Sequence, residues 1–391
     1  MDISLYFQPI QRTDFIDAVN PGRGKIGDII QAYDESGYFP EAGTYELALF
    51  GVNEDRNALN NAGCGQAPDK VREKLYNLFS DHPKLPLADL GNIMPGFGIE
   101  DTYFAVKSAI AELIRHNVIP IIIGGSQDLT YANYISYESL GQIVNIVAVD
   151  REFDLGMSEE SFDARSFVSK IILHKPNYLF NYTNIGYQTY FVDPDAIRLM
   201  KNLFFDVYRL GEIRANLQEA EPLVRNADLL SVDIASIKSS DAPGTAYASP
   251  NGFYGEEICQ IMRYAGLSDK LTSVGIYEFN PAYDRHGQTA HLAAQMIWYF
   301  LDGYMNRYHE FPYKDMEQYV KYMVKIEGNG DEIIFYKSKK SDRWWMEVNC
   351  PTDQQVKYAR HYLVPCSYRD YEIACENDIP DRWWQAYQKL M

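Results

Sequence analysis

The stretch NVIPIIIGGSQDLTYANYISYESLGQIVNIVAVDREFDLG, residues 117–156, holds two short apolar runs, 119–123 and 143–149, each followed at once by polar and charged residues. Near-continuous apolar runs of this length belong to strands covered on both faces, as in a parallel sheet flanked by helices. Two such strands deliver Ser126, Gln127 and Asp128, then Asp150, Glu152 and Asp154, to one rim. Ligands of open α/β sheets bind at the carboxyl ends of the strands, so this rim is where chemistry is expected.

Working outward, the alternation of strands and helices persists. Residues 46–52 read as a strand, followed by a loop through Gly65 and a helix with Pro68 in its first turn and Val71, Leu75, Leu78 and Phe79 on one face. After a short strand at 85–90, Asp101 or Thr102 caps a helix whose buried stripe is Val106, Ile110, Leu113 and Ile114. Downstream, helices are expected at 129–139, 166–176, 194–202 and 287–303, and strands at 182–187, 204–208, 229–234 and 272–279. The prediction is a three-layer α/β/α domain over 46–305. Its mostly parallel sheet has about eight strands, with 119–123, 143–149 and 229–234 at its centre.

Residues 1–45 lack sustained periodicity apart from a short helix near 26–33, and are expected to lie as an arm over the core. From Asn306 the composition shifts to Tyr, Trp, Lys and Glu. Residues 332–348 read as a β-hairpin around the polar turn 339–342, and Pro380 starts a last helix carrying Trp383, Trp384 and Tyr387. Residues 306–391 are therefore an appended α+β extension, suited to packing or to an oligomer interface. Trp344, Trp345, Trp383 and Trp384 are too apolar to stand free in water.

The chain has 391 residues, a net charge of -18 and a pI near 4.8. That charge argues against nucleic acid and against an anionic membrane as partners, because affinity there comes from neutralising phosphates. Small cationic or neutral ligands and protein partners, including a homo-oligomer, remain compatible. There is no basic segment leading into a long apolar run at the N-terminus and no uninterrupted run of membrane-spanning length, so a cytoplasmic protein is expected. Cys64, Cys259, Cys350, Cys366 and Cys375 form no CxxC pair and read as free thiols.

Four motifs follow one another along the chain: GGSQDLT from Gly124, DREFD from Asp150, SVDIASIKSSDAPGT from Ser231 and YEFNP from Tyr277. In order and spacing they resemble the ureohydrolases, the arginase, agmatinase and formimidoylglutamase family. The resemblance runs from about Leu47 to Tyr304 and includes the Gly-rich loop NNAGCG before the Pro68 helix. It implies an arginase-like fold and a pair of manganese ions that generate hydroxide to attack the carbon of a linear amidine. It also implies which positions matter. The family has histidine where Gln127 stands, aspartate, histidine and aspartate where Asp150, Glu152 and Asp154 stand, and two aspartates where Asp233 and Ala235 stand.

Alternate residues of a strand share a face, so Asp150, Glu152 and Asp154 can converge, joined by Asp233 from a neighbouring strand. Asp150, Asp154 and Asp233 retain family ligand positions; Gln127, Glu152 and Ala235 are substituted. A neutral amide is a poorer donor to a hard cation than carboxylate, Glu152 reaches further than imidazole, and Ala235 has no lone pair. The expectation is no cofactor, or one weakly bound divalent cation, manganese or magnesium. Glu278 matches the glutamate that holds the amidinium end of substrate, and competes with a reading in which YEFNP only ends a strand. No histidine lies between Asp154 and His174, so the family's proton shuttle is vacant. Carboxylates about 4 Å apart repel by roughly 4 kcal/mol per pair at an effective dielectric near 20, so the cluster needs protons, water or a cation. Lys238 is the first candidate for an internal cation. Arg151 is a weaker one, because it is expected on the opposite face.

Ser126 lacks a GxSxG elbow, and neither GxGxxG nor GxxxxGK[ST] occurs. Three functions follow. The first is a ureohydrolase-family protein whose dinuclear centre is lost, kept for ligand binding, regulation or assembly, with a small amidine or guanidino compound as ligand. The second is an active formimidoylglutamase-like or guanidino hydrolase that uses a single metal or none, with Asp150, Asp154, Asp233 and Glu278 as its catalytic set. The third is a purely structural protein that uses its aromatic tail as an interface.

Overall fold

The computed structural model describes residues 1–16, 24–156, 162–312, 315–327, 332–351 and 357–390. Its strands are β1 (Phe7–Gln8), β2 (Gln31–Ala32), β3 (Leu47–Val52), β4 (Leu87–Ile93), β5 (Ile119–Ile123), β6 (Val144–Val149), β7 (Leu179–Tyr187), β8 (Asp206–Arg209), β9 (Leu229–Asp233) and β10 (Ser273–Tyr277). These ten form one sheet in the order β1-β4-β3-β5-β10-β9-β6-β7-β8, with β2 also on β4, and every pairing but β1 with β4 is parallel. The expected central strands, β5, β6 and β9, are all interior. Their apolar runs feed both faces in alternation. Ile121, Ile123, Val147, Val149, Leu230 and Val232 join one core layer, while Ile122, Ile146, Ala148 and Leu229 join the layers opposite. Pro120 is tolerated in β5 because it sits at the strand's entry, before pairing with β10 begins at Ile121.

Helices Ala67–Leu75, Gly255–Gly266 and Gln288–Met305 cover one face, and Ile99–Arg115, Leu129–Ser136 and Phe167–Leu173 cover the other. The helix at Ile99 is not capped by Asp101 or Thr102 as expected. Gly98 is its N-cap, Asp101 accepts the Gly98 N–H at 2.8 Å, and Thr102 is buried, donating to Glu54. Residues 1–16 and 24–45 do more than lie over the core, since β1 and β2 extend the sheet beyond β4. The 26–33 segment is helical only over Ile26–Ile29 before it becomes β2.

The extension builds a second sheet, β11 (Tyr319–Lys325), β12 (Glu332–Ser338), β13 (Trp344–Glu347) and β14 (Leu363–Cys366), antiparallel throughout, with β12 and β13 forming the expected hairpin. Helices Tyr368–Cys375 and Asp381–Leu390 complete it. Trp344, Trp345 and Trp383 are buried, whereas Trp384 remains 47% exposed beside Tyr387. Among the described residues no helix is long and apolar enough to cross a membrane.

Candidate functional site

The neighbours β5-β10-β9-β6 bring the four motifs side by side, because each motif lies at the carboxyl end of one of these strands. The turn after β5 is tight. A Cβ on Gly125 would collide with the Glu54 carbonyl oxygen, and one on Gly124 with the Tyr277 ring, so only glycine lets the chain pass between the loop after β3 and β10. Past it, the Gln127 N–H donates to Glu278 Oε1 at 2.8 Å. Glu278 Oε2 accepts from Asn61 Nδ2 at 2.7 Å, and Asn61 is itself fixed by the Ala246 N–H and by Asn280. Glu278 is thus held by three loops. Of the competing reading, in which YEFNP only ends a strand and Glu278 is solvated or bonded to backbone, the solvated form does not hold, since Glu278 is buried, whereas the backbone bond is present, from the Gln127 N–H.

Asp150 and Asp233 are buried, and Asp150 Oδ1 accepts the Glu152 N–H at 2.9 Å. Asp154 is partly exposed as a residue, yet its Oδ2, like that of Asp150, is buried without any hydrogen-bond donor. Asp233 Oδ1 takes the Ala235 N–H at 2.7 Å. Burial drives the acidity of this group. It raises the Asp150 carboxyl, against the opposing pull of Asp154, the Glu152 N–H, Gln127 and Arg151. It raises Asp154 well above the ordinary carboxylate range, reinforced by the charges of Asp150, Glu152 and Asp233. Asp233 is likewise raised by burial and then by Asp150 and Glu278, and Glu278 is pushed up to about 7 by burial, opposed by its bonds from Asn61 and Gln127. Asp154 (φ 48°) and Glu278 (φ 66°) both have left-handed backbones, a costly conformation for such residues that persists where surroundings impose it.

The substituted positions behave differently. Gln127 turns its amide toward β9, with Nε2 3.4 Å from Ser231 Oγ, while the side chain of Ala235 is only a buried methyl. Glu152 is gripped from two sides. Arg151 Nη2 lies 2.9 Å from its Oε1 and Arg165 Nη1 lies 3.1 Å from its Oε2. Burial raises the Glu152 carboxyl, and the charges of Arg165 and Arg151 oppose that rise. Both guanidinium groups are seated on aromatic rings, Arg151 4.3 Å from the Phe191 centroid and Arg165 4.1 Å from that of Tyr247, and Arg151 also donates to the Tyr247 carbonyl at 2.7 Å. These arginines are the internal cations. Lys238 is not, since its ammonium lies over the Tyr254 ring at 4.3 Å. Arg151 was expected on the opposite face, but the chain leaves strand geometry after Val149, and alternation stops there.

Arg165, Asn61 and Tyr247 carry no motif signal. Each reaches the rim on a loop, and only the position of Asn61 inside the Gly-rich stretch NNAGCG hints at a role. The segment where a shuttle histidine would sit includes residues 157–161, which lie outside the described residues. Asp128, also buried, bonds Tyr103 through a short contact and is pushed up to about 6 by burial.

Do these residues fit two manganese ions? Among the described residues, no three His, Cys, Asp or Glu side chains are grouped so as to hold a metal. The donor chemistry is uneven: the two donorless oxygens of Asp150 and Asp154 suit one cation, Glu152 is committed to two arginines, and the Ala235 side chain offers no donor. Asp150, Asp154 and Asp233 keep carboxylates at the family's ligand positions, while positions 127, 152 and 235 carry other side chains.

A doubly covered, mostly parallel sheet with an acidic site on its carboxyl rim defines an α/β protein of ureohydrolase type. The chain belongs to the arginase family, whose model matches residues 45–302. Its relatives include the formimidoylglutamases of Chromobacterium violaceum, 26% identical over 66% of this chain and 88% of that protein, and of Clostridium tetani, 24% identical over 67% and 84%. Solved structures with the same fold include formimidoylglutamase from Bacillus subtilis (TM-score 0.63, 18% identity, 76% of this chain and 98% of that one). Another is Trypanosoma cruzi formiminoglutamase with Mn2+ (0.61, 18%, 68% and 96%).

Proposed function

We propose that this chain is a binding member of the arginase family: a receptor for a small compound with a cationic amidinium or guanidinium end, of the kind formimidoylglutamate carries, that has given up dinuclear hydrolysis. The observation that carries this reading is Glu152, whose carboxylate is spent on Arg151 and Arg165. A cationic ligand is supported by what remains, since the Asp150 and Asp154 oxygens without donors and the rigidly held Glu278 offer acceptors. Formimidoylglutamate is the first ligand to try, because the curated relatives are formimidoylglutamases. Calorimetric titration should show it binding at a single site per chain. Assays for formamide and ammonia, with and without added manganese, should show no release above the rate without protein. Manganese-dependent release would sink the proposal.

A second reading, hydrolysis with one cation or none, draws support from Glu278. A carboxyl brought to about 7 by burial is suited to exchanging protons at neutral pH. Release of formamide that persists in chelator and vanishes in Glu278→Gln would favour it.

A further inference from the structure

The misfit between this donor set and a dinuclear centre has a specific form. On the DREFD and DIAS segments, Asp150 and Asp233 are buried, Asp154 Oδ2 is sealed from solvent, and the Glu152 side chain is only 18% exposed. Such a group folds only with protons on some of its carboxyls or with compensating charge. In the family that charge is metal. Here Arg151 and Arg165 bracket Glu152, and their electrostatic reach extends past it, Arg151 acting on Asp150 and Asp233, and Arg165 on Asp154 and Asp233. With the Glu152 carboxylate between them, the two guanidinium groups leave a net charge of +1, half that of a divalent ion. Their placement is secured independently of the acids, by Phe191 under Arg151 and by Tyr247 under Arg165, with the Tyr247 carbonyl bonded to Arg151.

We propose that the Arg151–Glu152–Arg165 clamp is a resident stand-in for one metal ion: it places net positive charge beside the carboxylate cluster where that ion would sit and excludes a divalent cation from the Glu152 side of the rim. The proposal rests on the incomplete metal set described above but not on the binding of an amidine. Arg165 is the more dispensable half, for its side chain is 32% exposed against 9% for Arg151. The clamp also bears on any attempt to rebuild the centre. Replacing Gln127, Glu152 and Ala235 by the family residues removes the anion between the arginines and leaves two unpaired cations beside the new ligands. Restoring the ligands alone is therefore insufficient.

The test is manganese binding by the full chain, read by calorimetry and by the metal-dependent change in melting temperature. Native protein should bind no ion tightly and show no shift in roughly 1 mM manganese, a concentration high enough to reveal linkage to any site that binds it well. Arg165→Gln should gain at least about tenfold in manganese affinity, because a cation beside a divalent ion in a site of low dielectric opposes it strongly. Arg151→Met/Arg165→Met should gain more and melt higher with the metal than without. The triple variant Gln127→His/Glu152→His/Ala235→Asp should bind more weakly than the same triple carrying Arg165→Gln. If the double arginine variant does not fold, Arg165→Gln, the milder change, decides. No gain in a folded Arg165→Gln protein, or two tightly held ions in the native one, overturns the clamp. Since no amidine is present in these measurements, failure of ligand binding leaves the outcome unaffected; no gain in Arg165→Gln counts against the clamp alone, whereas two ions in the native protein count against both readings.

Discussion

Glu278 concentrates the residue-scale argument. Its left-handed backbone, its bond from the Gln127 N–H and its bond from Asn61 fix a buried carboxylate that makes no ion pair with a resident cation among the described residues. A charge-assisted hydrogen bond to a ligand is worth about 1.5–3 kcal/mol, so Glu278→Gln should weaken amidine binding by roughly tenfold to a hundredfold. Its far-UV circular dichroism should stay native, and undiminished calorimetric affinity would remove Glu278 from the site. Asp150, Asp154, Asp233 and Glu278 were legible in the sequence because each stands at or just past the end of an apolar strand, where topology dictates a common rim. Arg165, Asn61 and Tyr247 were not, since nothing local announces where a loop will carry a side chain. Lys238 shows the converse: its place in the motif pointed inward, and the Tyr254 ring on the next loop took its charge.

At the scale of elements, strands with continuous apolar runs and helices with clear stripes were readable, while the segments that join core to extension were not. The helix Gly255–Gly266 gave no expectation although Ile258, Ile261, Met262 and Ala265 form a buried stripe at helical spacing. The preceding Gly- and aromatic-rich loop masked its start. The unread seam between β7 and the extension holds a testable device. His361 is buried with its ring stacked on Phe180 at 4.3 Å, and its Nδ1 has no hydrogen-bond partner. Burial, then the charge of Lys270, lower its pKa from 6.5 to about 3, with Asp228 acting in the opposite sense and Arg360 adding to the fall. Between those values the unfolded chain binds a proton that the folded chain refuses, so stability falls as pH drops from about 6.5 toward 3. The slope approaches about 1.4 kcal/mol per pH unit. His361→Phe keeps the stacked ring and removes the proton site. Urea unfolding at pH 7.5 and pH 5 should show native protein losing about 2 kcal/mol relative to the variant over that interval. Parallel losses would mean that His361 takes up its proton without leaving the fold.

For the molecule as a whole, the question is whether the arginase-like core stands without its extension. The polar seam alone does not decide it. Arg225 donates to the carbonyls of Trp344 and Cys366, Asp228 pairs with Arg360 at 2.7 Å and Arg382 with Glu219 at 2.6 Å, but water would replace these partners if residues 306–391 were removed. The apolar part of the seam has no such substitute. Phe180 on β7 packs into the extension's core against Tyr358 and His361, and Arg225 lies 4.3 Å from the Trp345 ring that covers it. Re-exposing a large apolar side chain costs about 1.5–3 kcal/mol, and a domain holds only about 5–15 kcal/mol in reserve. A few such residues along the seam are enough to consume much of that margin and to leave an adhesive patch. Residues 1–305 expressed alone should therefore aggregate in static light scattering, or melt well below the full chain. Adding Phe180→Ser should recover solubility in part, because it removes apolar surface at the place where the deletion bares it. A soluble 1–305 fragment of monomeric mass with the melting temperature of the intact protein would show that the core is self-sufficient and that the extension's buried tryptophans serve only the extension itself.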